Sequence, residues 1–297
     1  MSGRRDAGRA GGRASLLLGV NAFAATGDGA RRQAEALESW RGLSGVRLAN
    51  LGWPGDVVEV DGFATHPVLR EDSRTASGRA GPRKPVVSEA FDRLAAIAAA
   101  EGCRWFGYAN SDIAWTQDAV DAIVAGGRQA YAFSRCDVEP GTGRGMEIVT
   151  AGIDAFVVDV AWWGANRRRF RAYLGGEPIW DNVYAAVLLA HGDGVLLNRA
   201  PLVLHERHPA GDWGRSPYAG YLAYLAALDS LYFSRWAAYH HRLSELRARG
   251  AGEDEDEEAA LQREAFRGRF PARDRLVQVG RALKARARWA AARRRSA

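Results

Sequence analysis

Two apolar runs, each ending in oxygen-bearing side chains, constrain this chain more than anything else in it. LLLGVNAF (residues 16–23) and RWFGYANSDIAW (104–115) carry apolar residues without strict alternation, and they break at Asn21 and at Asn110-Ser111-Asp112. A strand that is apolar on both faces has to be covered on both faces, which is the habit of parallel sheets flanked by helices. Further strands are expected over residues 46–51, 131–135, 154–160 and in the VLLN and LVLH stretches of 195–205. Helical spacing marks 30–40, 86–100, 117–124 and 183–190. Strands alternating with helices predict an α/β chain with a mainly parallel central sheet flanked by helices. In such sheets ligands sit beyond the carboxyl ends of the strands, where Asn21, Asn110, Ser111 and Asp112 fall.

The ends of the chain read differently from its middle. The formal charge of +6 is concentrated in the opening MSGRRDAGR and the closing LKARARWAAARRRSA. A basic end can rest on an anionic membrane surface, and no nucleic-acid partner is expected. Residues 1–14 read as a disordered basic leader. The SLLLGVNAFAA that follows imitates a secretory signal, but Gly19 and Asn21 interrupt it and a first core strand is the better reading. The main domain is expected over 15–213, packed C-terminal helices over 214–250 and a charged helical tail over 251–297. Within the main domain, 71–85 is expected to be a mobile loop suited to gating a ligand, and 167–174 a basic helix. Two cysteines, Cys103 and Cys136, are too few for a disulfide framework and fit a reducing, cytoplasmic location, with contact to the inner face of a membrane as an extension of it. No apolar run reaches the roughly 18 residues that span a bilayer.

The residues around 110–112 can do chemistry. Oxygen ligands at a strand end can hold a hard divalent cation, Mn²⁺ or Mg²⁺, against a diphosphate. Asp112 would be the direct ligand, with Asn110 offering an amide oxygen or holding a ribose hydroxyl; an ordinary polar turn explains the same residues. The Gly-rich TGDG and GTGRG match neither a dinucleotide fingerprint nor a phosphate loop, and GVNAF lacks the serine of a nucleophile elbow.

FGYANSDIAW, TAGIDAFVVD (150–159), GGEPIWDN (175–182) and LLNRAPLVLHERH (196–208) together resemble the GT-A nucleotide-diphospho-sugar transferases, over about residues 15–209. The resemblance implies a GT-A-like, Rossmann-like sheet, a nucleotide-sugar donor and a hydroxyl acceptor, either a glycan or a small molecule. It implies that Asp112 is the metal-binding acid and that His205 or His208 is the final metal ligand; a surface turn fits the histidines equally well. Asp181 matches an acceptor-side catalytic acid, or caps the helix that follows. Trp180 would offer the acceptor ring a flat face, and Asp154 would bind a sugar hydroxyl or orient Asp181. Asn21, Arg83 and Lys84 are expected around base, ribose and phosphates. Asn110 stands where the family's first acid would be, so a non-catalytic nucleotide-sugar-binding protein is the alternative.

Overall fold

The structure, a computed structural model, describes residues 15–143, 146–208, 215–249, 255–268 and 270–294. The expected leader, 1–14, lies outside them, and so do residues 209–214 and 250–254.

A nine-stranded mixed sheet forms the centre. In chain order its strands are β1 (Leu16–Val20), β2 (Val46–Leu51), β3 (Ala64–His66), β4 (Trp105–Ala109), β5 (Ile113–Trp115), β6 (Ala130–Val138), β7 (Glu147–Asp159), β8 (Gly194–Leu197) and β9 (Val203–Glu206). Their spatial order is β3-β2-β1-β4-β7-β6-β9-β5, with β8 also beside β6. The pairings β1/β2, β2/β3, β1/β4, β6/β8 and β6/β9 are parallel; β4/β7, β6/β7 and β5/β9 are antiparallel. The antiparallel β7 in the middle makes the sheet more mixed than its apolar runs suggest, because a hairpin strand buried on both faces has the same composition as a parallel one.

Helices cover both faces. On one lie α1 (Gly27–Arg41) and α4 (Gln117–Gly126), packed on Leu16, Leu18, Val157 and Tyr131. On the other lie α3 (Val87–Ala100), α5 (Val160–Asn166) and α6 (Trp180–His191), packed on Leu17, Phe106, Phe156 and Val158. All five residues of β1 are buried, alternating between the two cores, as its unalternating composition requires. Phe91 of α3 is the hub of the second core, with ring contacts to Phe106, Tyr108, Phe156, Trp163 and Tyr184 at 5.2–6.1 Å.

Two expectations need correction. Residues 71–85 are not an open loop, since they contain the short helix α2 (Ser73–Ser77). Asp72 accepts from the backbone N–H groups of Arg74 and Thr75, both at 2.9 Å, while the Thr75 hydroxyl accepts from the Asp72 N–H, a capping box built with threonine in the glutamate position. Ser73 Oγ bonds Pro82 O and the hydroxyl of buried Tyr218, which ties the segment to the helices beyond it. Residues 167–174 form only the 3-10 turn Arg167–Arg169, after which Phe170 and Tyr173 enter the core and pull the backbone out of helical register.

The C-terminal region is helical: α7 (Ala219–Leu228), α8 (Ser230–Ala248), α9 (Glu255–Arg267) and α10 (Ala272–Arg294). No helix among the described residues is long and apolar enough to cross a membrane.

Close packing at the centre of the sheet gives a test. A Cβ on Gly107 of β4 would lie 2.6 Å from Leu18 Cδ2, 3.0 Å from Val157 Cγ2 and 3.1 Å from the Phe156 carbonyl oxygen. Gly107→Ala is expected to cost about 1–3 kcal/mol, as overpacking a filled core does, read as a lowered urea midpoint.

Candidate active site

Strand order reverses between β1 and β4, since β2 leaves β1 on one side and β4 lies on the other. The loops after these two strands therefore diverge, the place where sheets of this kind form a ligand crevice, and Asn21 and Asn110 stand at the two strand ends. Asn21 Nδ2 donates to Leu51 O at 2.7 Å, so its amide fastens the end of β1 to β2. Asn50, fully buried, accepts from Ala22 N–H at 2.9 Å and donates to Val58 O. It shapes the same strand end, and nothing in an apolar strand with one Asn singled it out.

Across the crevice, Asp112, His205 and His208 converge, each with one ligand atom, and those atoms all lie within 4.8 Å of one another. Asp112 Oδ2 is 3.8 Å from His205 Nε2 and 3.4 Å from His208 Nε2. Strand pairing produces this meeting: Ile113 is opposite His205 across β5/β9, so Asp112 leaves β5 beside it. Parallel pairing of β6 with β9 sets Asp137 against His205, and Asp137 Oδ1 lies 3.0 Å from His205 Nδ1. A carboxylate that holds Nδ1–H leaves the Nε2 lone pair to a cation, the usual outer-shell arrangement of a metal-binding histidine. His205 is nearly buried, whereas Asp112 and His208 keep about a third of their side-chain surface or somewhat less, so the cluster opens to solvent on one side. Two imidazoles and a carboxylate suit Mn²⁺ better than Mg²⁺.

Behind the cluster runs a second layer. Arg135 Nε donates to Asp137 Oδ1 at 2.9 Å and its Nη1 to Asp154 Oδ2 at 3.0 Å. Asn110 Nδ2 donates to Asp154 Oδ1 at 2.8 Å. Arg135 reaches both acids because the β6/β7 register jumps there: Ser134 pairs with Ile153 but Arg135 with Val149, so residues 150–152 loop out. Arg135 and Asp137 escaped the sequence reading, although two charges at i and i+2 in SRCDV place both on one face of an otherwise buried strand.

Asp181 lies in the first turn of α6, inside the helix and not at its N-cap. The N-cap, Ile179, has φ 85°, and it is the one non-glycine residue with positive φ among the described residues. A β-branched residue held there is strained, and such strain gathers where a side chain has to be aimed. Asn182 Nδ2 donates to Ala151 O at 2.9 Å, binding the helix start to the looped-out part of β7. Burial raises the Asp181 pKa to about 7, and the neighbouring Asp154 charge adds to the rise. Burial also raises Asp154, against the pull of Arg135. Ser111, half-buried, completes the turn between β4 and β5.

Three expected contacts fall elsewhere. Trp180 is 2% exposed and packs on Tyr108, Phe156 and Tyr184, because α6 begins one turn earlier than its apolar spacing suggests and turns this ring inward. It has no free face for an acceptor. Arg83 lies over the Trp53 ring and bonds Asp72 and Asp56, and Lys84 Nζ bonds Glu177 at 2.7 Å and Gly176 O. Both cations brace the α2 segment, with carboxylates already on their head groups.

No family model and no curated protein matches the chain. Among solved structures, it is similar to TarS of S. aureus in complex with UDP-GlcNAc, with 12% identity, 72% of this chain and 66% of that chain covered, and TM-score 0.46. It is also similar to a glycosyltransferase involved in glycosylation of the major capsid of PBCV-1 (12% identity, 64% and 92% covered, TM-score 0.35) and to the galactosyltransferase LgtC in complex with donor and acceptor sugar analogs (12%, 69% and 91%, 0.31). The chain spans slightly less than two thirds of the TarS chain. Likenesses this distant carry no argument about chemistry.

The raised pKa has a measurable sign. Asp181 titrates from 3.8 in the unfolded chain to about 7 when folded, so the fold favours its neutral form. Its contribution to stability is whole below about pH 4 and is lost as pH climbs to 7. Asp181→Asn is therefore expected to match the parent near pH 4 and exceed it by about 1–3 kcal/mol at pH 8, measured by urea unfolding at both pH values.

Proposed function

We propose that the protein is a glycosyltransferase that moves a sugar from a nucleoside-diphosphate donor to a hydroxyl acceptor. The observation that carries this reading is the convergence of Asp112, His205 and His208 at the mouth of the β1/β4 crevice, with Asp137 fixing the tautomer of His205. Those three residues would hold a divalent cation, Mn²⁺ or Mg²⁺, whose chemistry there is to neutralise the diphosphate as it leaves. The end of β1 and the turn at Asn110 and Ser111 line the nucleotide side. Since the Asn110 amide nitrogen is given to Asp154, its oxygen is the end that can accept from a ribose hydroxyl or face a cation.

Asp181 serves the acceptor. With a pKa of about 7 it is ionised in a large share of molecules at neutral pH, and its carboxylate can take the proton from an attacking hydroxyl while the bond between sugar and diphosphate breaks. Arg135 holds Asp154 in place and opposes the rise that burial gives its pKa, and the Asp154 charge in turn raises the basicity of Asp181. The helix start at Ile179 aims the carboxylate.

Two measurements test this reading. Asp112→Ala is expected to lower Mn²⁺-dependent release of nucleoside diphosphate from a panel of nucleotide sugars by at least about 100-fold. Asp181→Asn is expected to lower kcat by about 10²–10⁴-fold while a donor still raises Tm, and the parent rate should climb with pH through about 7. A parent protein that is protected from heating by a donor yet releases no nucleotide would instead be a binding protein, the reading that Asn110 in an acid's place favours.

A further inference from the structure

We infer that α10 is an interfacial helix, which lays its outer face on an anionic lipid bilayer. The helix meets the body of the protein along one stripe. Gln278 Nε2 donates to the Leu228 carbonyl, and Trp289 stacks on Tyr224 with centroids 6.0 Å apart and planes 8° from parallel. Gln278, Ala282, Ala285 and Trp289 follow the four-three-four spacing of a packed helix face, and all four are half-buried.

A flank of the helix about 120° round from that stripe is apolar and uncovered. Leu276, Val279 and Leu283 are 73%, 56% and 64% exposed. At helical spacing these three fall within an arc of about 60°. Arg275 and Arg286 border the arc on one side, Arg273 and Lys284 on the other. Asp274, the helix's single acid, lies toward the body. Large apolar side chains standing together in water, edged by cations, are the pattern of a helix that sinks its apolar face to the acyl boundary while its basic edges meet lipid phosphates.

A groove of about 410 Å³ between α10 and α7 continues the basic edge. Arg79, Arg281, Lys284 and Arg288 line it above Tyr224 and Trp289. Lys284 belongs both to the groove and to the border of the apolar arc, so the groove opens at headgroup level, where an anionic phospholipid phosphate would find several cations over an aromatic floor. Charge argues against the other occupants of such a face. A second copy would bring the same arginines against these, and a nucleic acid would leave the leucines in water. The inference does not rest on the transferase reading and would hold for a binding protein.

The test uses the full chain and vesicle flotation. Vesicles of phosphatidylcholine alone are compared with vesicles in which about a third of the lipid is phosphatidylglycerol, at low and high salt. Binding is expected to the anionic vesicles, to fall with salt, and to drop by at least about tenfold in Leu276→Glu/Leu283→Glu and in Lys284→Glu/Arg288→Glu, with Tm unchanged because these side chains face water. Absence of binding to anionic vesicles overturns the inference. So does binding that the paired glutamates leave intact, or a lipid-free dimer that they disperse, which would assign the face to a second copy.

Discussion

One guanidinium holds the Asp112 end of the sheet together. Arg135 sits between Asp137 and Asp154, two acids that are each about nine-tenths buried, where a carboxylate left without a partner is costly. With it, Asp137 can hold His205 and Asp154 can hold Asn110, so the histidine and the asparagine share a single charged keystone. A half-buried cation flanked by two buried acids has little to gain in stability over an apolar packing of the same volume. Its presence here is better understood as the means of orienting a histidine and an asparagine than as reinforcement of the fold.

The sheet's mixed order serves the same end. A wholly parallel sheet would bring only βα loops to the crevice. Running β7 antiparallel between β4 and β6 brings Asp154 beside Asn110, and running β5 antiparallel to β9 brings Asp112 beside His205. Both contacts are consequences of register, in which a slip of one residue would turn the side chains to the other face.

Much of this was legible in the sequence, and the gaps have physical reasons. The strands announced themselves because burial on both faces leaves little room for polar residues, and Asp112 because it follows a strand whose end could be located; His205 or His208 as its neighbour follows only from the family resemblance. Strand direction could not be read, since β7 has the composition of a parallel strand. Trp180 was taken for a binding surface because a strained Ile179 starts the helix earlier than periodicity suggests. Residues 71–85 looked loose because they hold few large apolar side chains; their order comes from a threonine capping box and a tyrosine 145 residues away in the chain from Ser73. Arg83 and Lys84 were expected around base, ribose and phosphates, but their partners Asp72 and Glu177 are set by tertiary folding and carry no local signature.

Tyr218 gives the molecule a mechanical continuity that its strand-and-helix inventory conceals. Its hydroxyl bonds the Pro82 carbonyl and Ser73 at the root of α2, Lys84 two residues on reaches Glu177 just ahead of α6, and at its other side Tyr218 begins the helix against which α10 is stacked. The tail and the carboxylate of Asp181 are thus linked by an unbroken sequence of stiff parts, in which this phenol is one rivet among several. A load applied along the final helix would have to shear that phenol from its two partners before the rest of the body could ignore it.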